Sequence, residues 1–161
     1  GYEPGAEVHL TEDTAGSATA LRTLASAAAR CCSGRAVCGP DGRWIARGDP
    51  MEAALDVLAR RVGADPAALG AERSRFPFDA RRRRMAVVLD DCVVVKGAPD
   101  AVLPACEPIP VAAAEVAAMA GRGLRVLAVA RATRSSVFPD TPTMAEAGKG
   151  GSEEEQQNRE L

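Results

Sequence analysis

Residues 76–103 read FPFDARRRRMAVVLDDCVVVKGAPDAVL. Two β-branched runs, Met85–Leu89 and Cys92–Val95, are separated only by Asp90 and Asp91, which is the spacing of a tight antiparallel hairpin. Phe76, Phe78 and the run Arg81–Arg84 precede the first strand, and the second delivers Lys96 into a turn at Gly97. A ring for stacking, a cationic cluster and a single lysine around one sheet edge are what a nucleotide pocket requires.

Working outward, a strand is expected around Arg75–Phe78. Pro66–Ala71 offers one helical turn, and Gly48-Asp49-Pro50 opens a helix running to about Val62. Asp49 can cap free amides there and Pro50 suits the first helical position. Trp44–Ala46 and Val37 flank the turn cluster Gly39-Pro40-Asp41-Gly42, a short hairpin. Ser17–Cys32 has apolar residues at helical spacing, and a short strand is expected near Val8–Leu10. On the other side, Ala98–Ala105 and Val111–Ala120 read as helices, and Leu124–Ala130 returns as a strand. Antiparallel strands mixed with helices give an α+β class, a twisted antiparallel sheet flanked by helices.

The 161 residues suit one domain, and 47% apolar content is enough for a core. Aromatics are only 3%, so each ring invites a specific role. Lys96 is the only lysine before the tail, against 17 arginines in residues 1–134. Those residues carry 18 basic and 16 acidic groups and residues 135–161 carry 2 and 6, so a nearly balanced body precedes an acidic tail. That balance marks neither a general nucleic-acid surface nor a membrane surface. No apolar run reaches the roughly 18 residues of a membrane span, and Gly1 begins no signal-peptide pattern, so a soluble chain is expected. Residues 135–161 lose the periodicity and are Pro, Gly, Ser and Glu rich; a domain over residues 1–134 and a tail that is disordered or added for expression are expected. Cys31, Cys32, Cys38, Cys92 and Cys106 form an odd set without paired spacing, far in sequence from His9. Buried free thiols in a reducing compartment are expected, with a zinc site or disulfide as the alternative.

Four segments then occur in a telling order: GDPMEAAL from Gly48, FPFDARRRRMAVV from Phe76, KGAPDAVL from Lys96 and GLRVLAVA from Gly123. Together they resemble the nucleotide-binding domain of P-type cation-transporting ATPases, in particular the calcium-pump branch and its bacterial relatives. The opening GYEPGAEV, Ala28–Cys32 and Trp44–Gly48 are similar to that family's earlier blocks, so the likeness covers roughly residues 1–133.

The resemblance implies that Phe78 stacks on adenine, where otherwise it would be a strand-end core residue. It implies that Lys96 lies beside the nucleotide with Gly97 admitting a close backbone, where a solvated lysine is the plain alternative. Glu52 would meet the adenine edge instead of being an ordinary first-turn glutamate. Arg125 would approach the phosphates, and Arg83 would stand where many members carry lysine. The rest of Arg81–Arg84 would be a solvated face, or a nucleic-acid patch if the resemblance misleads. Departures are Met51 for a threonine, Cys32-Ser33 for Asn-Asp and Asp100 for a glutamate.

The family's phosphorylated Asp-Lys-Thr-Gly-Thr motif, its Thr-Gly-Glu loop, its magnesium-binding TGDG segment and its membrane helices do not occur. The resemblance therefore implies one module of a pump, the cytoplasmic ATP-binding domain of an integral membrane protein. Mg2+ would be used by the intact enzyme, and the partners would be the phosphorylation and actuator domains. Alone, such a module would be a monomer that binds ATP without turnover, with no direct membrane or nucleic-acid contact. A free-standing adenine-nucleotide sensor would use the same pocket.

Overall fold

The computed structural model describes residues 2–10 and 16–134. The order is α1 (Ser17–Arg30), β1 (Arg35–Cys38), β2 (Trp44–Arg47), α2 (Pro50–Arg61), β3 (Glu72–Asp79), β4 (Arg84–Leu89), β5 (Cys92–Gly97), α3 (Pro99–Val102), α4 (Ala112–Gly121) and β6 (Ala128–Thr133). Single 3-10 turns occur at Ala67–Leu69 and Leu103–Ala105. The fold is α+β. An antiparallel sheet runs β3-β4-β5-β6, and β1-β2 form a separate hairpin.

The β4–β5 hairpin forms as its sequence dictates, with Val88 opposite Val93 and Asp90-Asp91 at the turn. Cross-strand partners share a face, so Met85, Val87 and Leu89 line up with Cys92, Val94 and Lys96. Ala27 and Cys31 of the α1 side complete this core. Small residues on α1 (Ala25, Ala27 and Ala28 are buried) let the helix approach the sheet closely. α2 packs on α1 and on the β1–β2 hairpin, where Asp56 Oδ2 accepts the Ala36 amide at 3.0 Å.

α2 starts as expected, with Asp49 Oδ1 accepting from the Met51 and Glu52 amides at 2.8 and 3.0 Å. Asp49→Ala should therefore cost about 1 kcal/mol, read as a lowered urea midpoint at unchanged slope.

Several boundaries differ from expectation. β6 begins at Ala128, not Leu124, because Ala128 pairs with Gly97 at the end of β5; residues 124–127 run past the sheet with no strand beside them. The helix expected over Ala98–Ala105 is one short turn followed by a 3-10 turn, since Pro104 supplies no amide to continue the helical ladder. Residues 8–10 form no strand, because no partner lies beside them in either sheet. α1 stops at Arg30, so Cys31 caps the helix and Cys32 lies beyond it. The cysteines of the described residues are free, but only Cys31 and Cys92 are buried; Cys32 and Cys106 are half-buried, and Cys38 at the end of β1 is exposed. The expected tail, 135–161, lies outside the described residues.

Candidate functional site

The α2 N-terminus is pressed against the chain following α1. A Cβ on Gly34 would lie 2.7 Å from the Asp49 carbonyl oxygen and 2.9 Å from Glu52 Cβ, so glycine permits the approach. It brings the first-turn Glu52 under the Ser33 and Gly34 amides, which donate to Oε2 at 2.8 and 2.9 Å. Its other oxygen, Oε1, accepts from Lys96 Nζ at 2.9 Å. Lys96 reaches that point because it sits on the core face of β5, beside Met85 of β4 and Val129 of β6.

The Lys96 side chain is only 7% exposed and that of Glu52 18%. Burial opposes charge on Glu52, yet donation from Gly34, Lys96 and Ser33 outweighs it and holds the carboxyl below its usual range. Burial likewise opposes the Lys96 ammonium, but its bond to Glu52 prevails and the group titrates above an ordinary lysine. Both groups are therefore charged at neutral pH. Cys32 Sγ is a second acceptor for Lys96 Nζ, at 3.4 Å. Burial pushes the Cys32 thiol up and the Cys31 thiol up to about 12, so both remain protonated beside the lysine.

Phe78 lies on an irregular part of β3. Phe76 pairs with Ala86 and Asp79 with Arg84, so Pro77 and Phe78 together oppose Met85 in a bulge. Met85 has Lys96 as its other neighbour, so Phe78 stands two strands from the lysine, about 10 Å at ordinary strand spacing. The ring is 62% exposed, which removes the strand-end core reading.

Gly97 has a steric reason of its own. A Cβ there would fall 2.5 Å from the Arg83 carbonyl oxygen and 2.6 Å from Arg84 Cβ. Arg83 adopts φ 50°, closes a turn by donating its amide to the Asp79 carbonyl at 2.6 Å, and accepts the Ala98 amide at 2.9 Å. Its guanidinium pairs with Asp100 at 2.8 Å. Arg84 donates to the Ala101 carbonyl at 2.6 Å and Arg82 pairs with Asp79 at 3.6 Å, so three of the four arginines have local partners. Arg125 is exposed, three residues before the Ala128 that pairs with Gly97.

The fold thus brings Glu52 and Lys96 into contact and sets Phe78, Gly97 and Arg83 at the same end of the sheet. It does not bring Arg125 into the Glu52–Lys96 contact. Sequence reasoning missed Cys32, Ser33 and Gly34 as partners of that pair, although Cys32-Ser33 stood out as a departure from the family pattern. It also missed Asp79, whose carboxylate accepts from the Arg81 and Arg82 amides at 2.8 and 2.9 Å. An aspartate two and three residues before those amides is the signal of such a turn.

Two hollows lie elsewhere. One of about 420 Å³ is lined by Tyr2, Val8 and α2 residues, and one of about 620 Å³ lies between α1 and β6. The Phe78 ring lines neither hollow and is itself exposed. Among the described residues no three His, Cys, Asp or Glu converge to hold a metal ion, and no helix is long and apolar enough to cross a membrane.

A family model described as "P-type ATPase, cytoplasmic domain N" matches residues 20–161. The sodium/potassium exporting P-type ATPase cta3 of Schizosaccharomyces pombe is 33% identical over 55% of this chain and 10% of its own length. The chain thus spans about a tenth of that relative. With the family match covering most of its residues, this chain belongs to the P-type ATPase cytoplasmic N-domain family.

Proposed function

We propose that residues 1–134 bind ATP and present its γ-phosphate to an aspartate in a separate phosphorylation domain of a cation pump, with residues 135–161 as a tail outside the binding unit. The observation that carries this reading is the ring of Phe78, held open to solvent on a bulge in a chain with few aromatics. Adenine stacks on Phe78, worth roughly 1–3 kcal/mol. Lys96 and Gly97 line the adjoining strand end, with Glu52 holding the lysine and facing the base edge. Arg83 leaves Asp100 for a phosphate oxygen, since a guanidinium binds either anion, and Arg125 approaches the phosphates from the loop before β6. In phosphoryl transfer the acceptor carboxylate and Mg2+ must lie in line with the γ-phosphate. In this reading the acceptor aspartate belongs to the separate phosphorylation domain, so the part of this domain is binding and orientation. The parent pump is then of the calcium-pump-like branch and of bacterial type, which the order of the four sequence segments supports.

Stacking and a few polar contacts, less immobilisation costs, correspond to a dissociation constant on the order of 0.1–1 mM. NMR titration with ATP and then GTP tests the reading. Amide shifts are expected around Glu52, Phe78, Lys96 and Arg125, and Phe78→Ala should weaken ATP binding roughly tenfold. Unchanged affinity in that variant would remove Phe78 from the site.

A further inference from the structure

Nucleotide binding leaves one nucleophile beside Lys96 without a role. Cys32 Sγ lies 3.4 Å from Lys96 Nζ, and the other side of the thiol contacts the Ala28 carbonyl at 3.1 Å, so sulfur and nitrogen are held against each other. Glu52 Oε1, at 2.9 Å from the same nitrogen, lies within proton-transfer distance of it. The other cysteines lack such a neighbour. Cys31 is directed at the Val94 carbonyl within the core, Cys92 is buried, Cys38 bonds its neighbouring carbonyl, and Cys106 bonds the Val102 carbonyl. Lys96 is also the only lysine within residues 1–134.

We propose that Cys32 and Lys96 form an oxidation-sensitive pair, in which peroxide converts their contact into a covalent sulfur–nitrogen link that withdraws the lysine from nucleotide binding. The second half rests on the function proposed above. In the first step the Cys32 thiol gives up its proton and the sulfur attacks hydrogen peroxide; the O–O bond breaks, one oxygen stays on sulfur with its hydrogen as a sulfenic acid, and the other takes up the thiol proton and leaves as water. Sulfur gives up two electrons and peroxide accepts them. Lys96 then passes a proton to Glu52, and its free amine attacks the sulfur. The S–O bond breaks, the departing oxygen leaves as a second water, and an S–N bond remains. A thiol reductant reverses the link by attacking sulfur and releasing the amine. Half-burial makes Cys32 slower to react than the exposed Cys38, so competing thiols are best removed.

The test uses the full chain with Cys38→Ser and Cys106→Ser, treated with hydrogen peroxide. The link predicts a mass lower by two hydrogens, restored by dithiothreitol. Trypsin should no longer cut after Lys96, leaving the peptide Cys31–Arg35 joined to Met85–Arg122. Cys32→Ser and Lys96→Arg should each abolish the product. Oxidation that stops at a sulfenic or sulfinic acid, or a disulfide to Cys31 or Cys92 with Lys96 still cleavable, overturns the proposal. ATP titration of reduced and linked protein reads the second half, with about tenfold weaker binding expected after linkage. Equal affinities overturn that half. A reduced protein that ignores ATP defeats the nucleotide reading instead, while the link stands or falls on the mass and digest.

Discussion

Gly97→Ala is expected to lower the thermal midpoint by about 10 °C, the effect of roughly 3 kcal/mol on a domain of this size. The added methyl meets the Arg83 carbonyl and the Arg84 backbone, not the movable end of a side chain. Relief requires the start of β4 to shift away from the end of β5. That shift strains the Arg84–Gly97 pairing and the bond from the Ala98 amide to Arg83. Gly121→Ala is the control, because nothing lies within 4 Å of its Cβ position and it ends α4 with ordinary backbone. A gain or no change is expected there. If both variants melt together, crowding at Gly97 is not what glycine relieves.

The second large effect concerns the buried ion pair. Lys96→Met should destabilise the domain by about 3 kcal/mol, at the low end for breaking a buried pair because Glu52 keeps two backbone donors. Glu52→Gln should cost a similar amount by leaving the ammonium without its counter-charge. The double variant should cost less than the sum, the mark of direct coupling. Additive costs would mean that the pair contributes nothing as a pair. The pH dependence has a definite sign. Glu52 is depressed in the fold, so its contribution is present above the ordinary glutamate value near ~4.3 and fades as pH falls through the folded value. Lys96 is raised, so its contribution is present below ~10.4 and fades as pH rises through the folded value. The gap between wild type and Lys96→Met should therefore be widest between these limits and shrink at both ends.

Local features were legible in the chain. The hairpin at Asp90-Asp91 and the α2 start at Asp49-Pro50 follow from two to four neighbouring residues, and both form where expected. β6 was not legible to the residue, because an edge strand extends only as far as its partner and that partner lies over thirty residues earlier. Lys96 and Phe78 drew notice as the only lysine of the body and one of three phenylalanines. That Glu52 would meet Lys96 through a bond spanning 44 residues, with the Ser33 and Gly34 amides on its other oxygen, is a product of packing that no local pattern encodes. The exposure of Cys38 was lost for the same reason. Alternation marks a strand but cannot say which strand end reaches solvent.

The bulge in β3 has a consequence for solubility. β3 is an edge of the four-stranded sheet and carries two exposed rings, Phe76 and Phe78. A flat apolar edge of that kind would recruit the strand of another molecule. Here Pro77 sits between the rings with no amide to offer, the ladder is broken between Phe76 and Asp79, and Arg73 and Arg75 charge the rest of the strand. The irregularity that leaves the Phe78 ring exposed thus closes the same edge to self-association, so an apolar surface can stay in water without becoming a seed for aggregation.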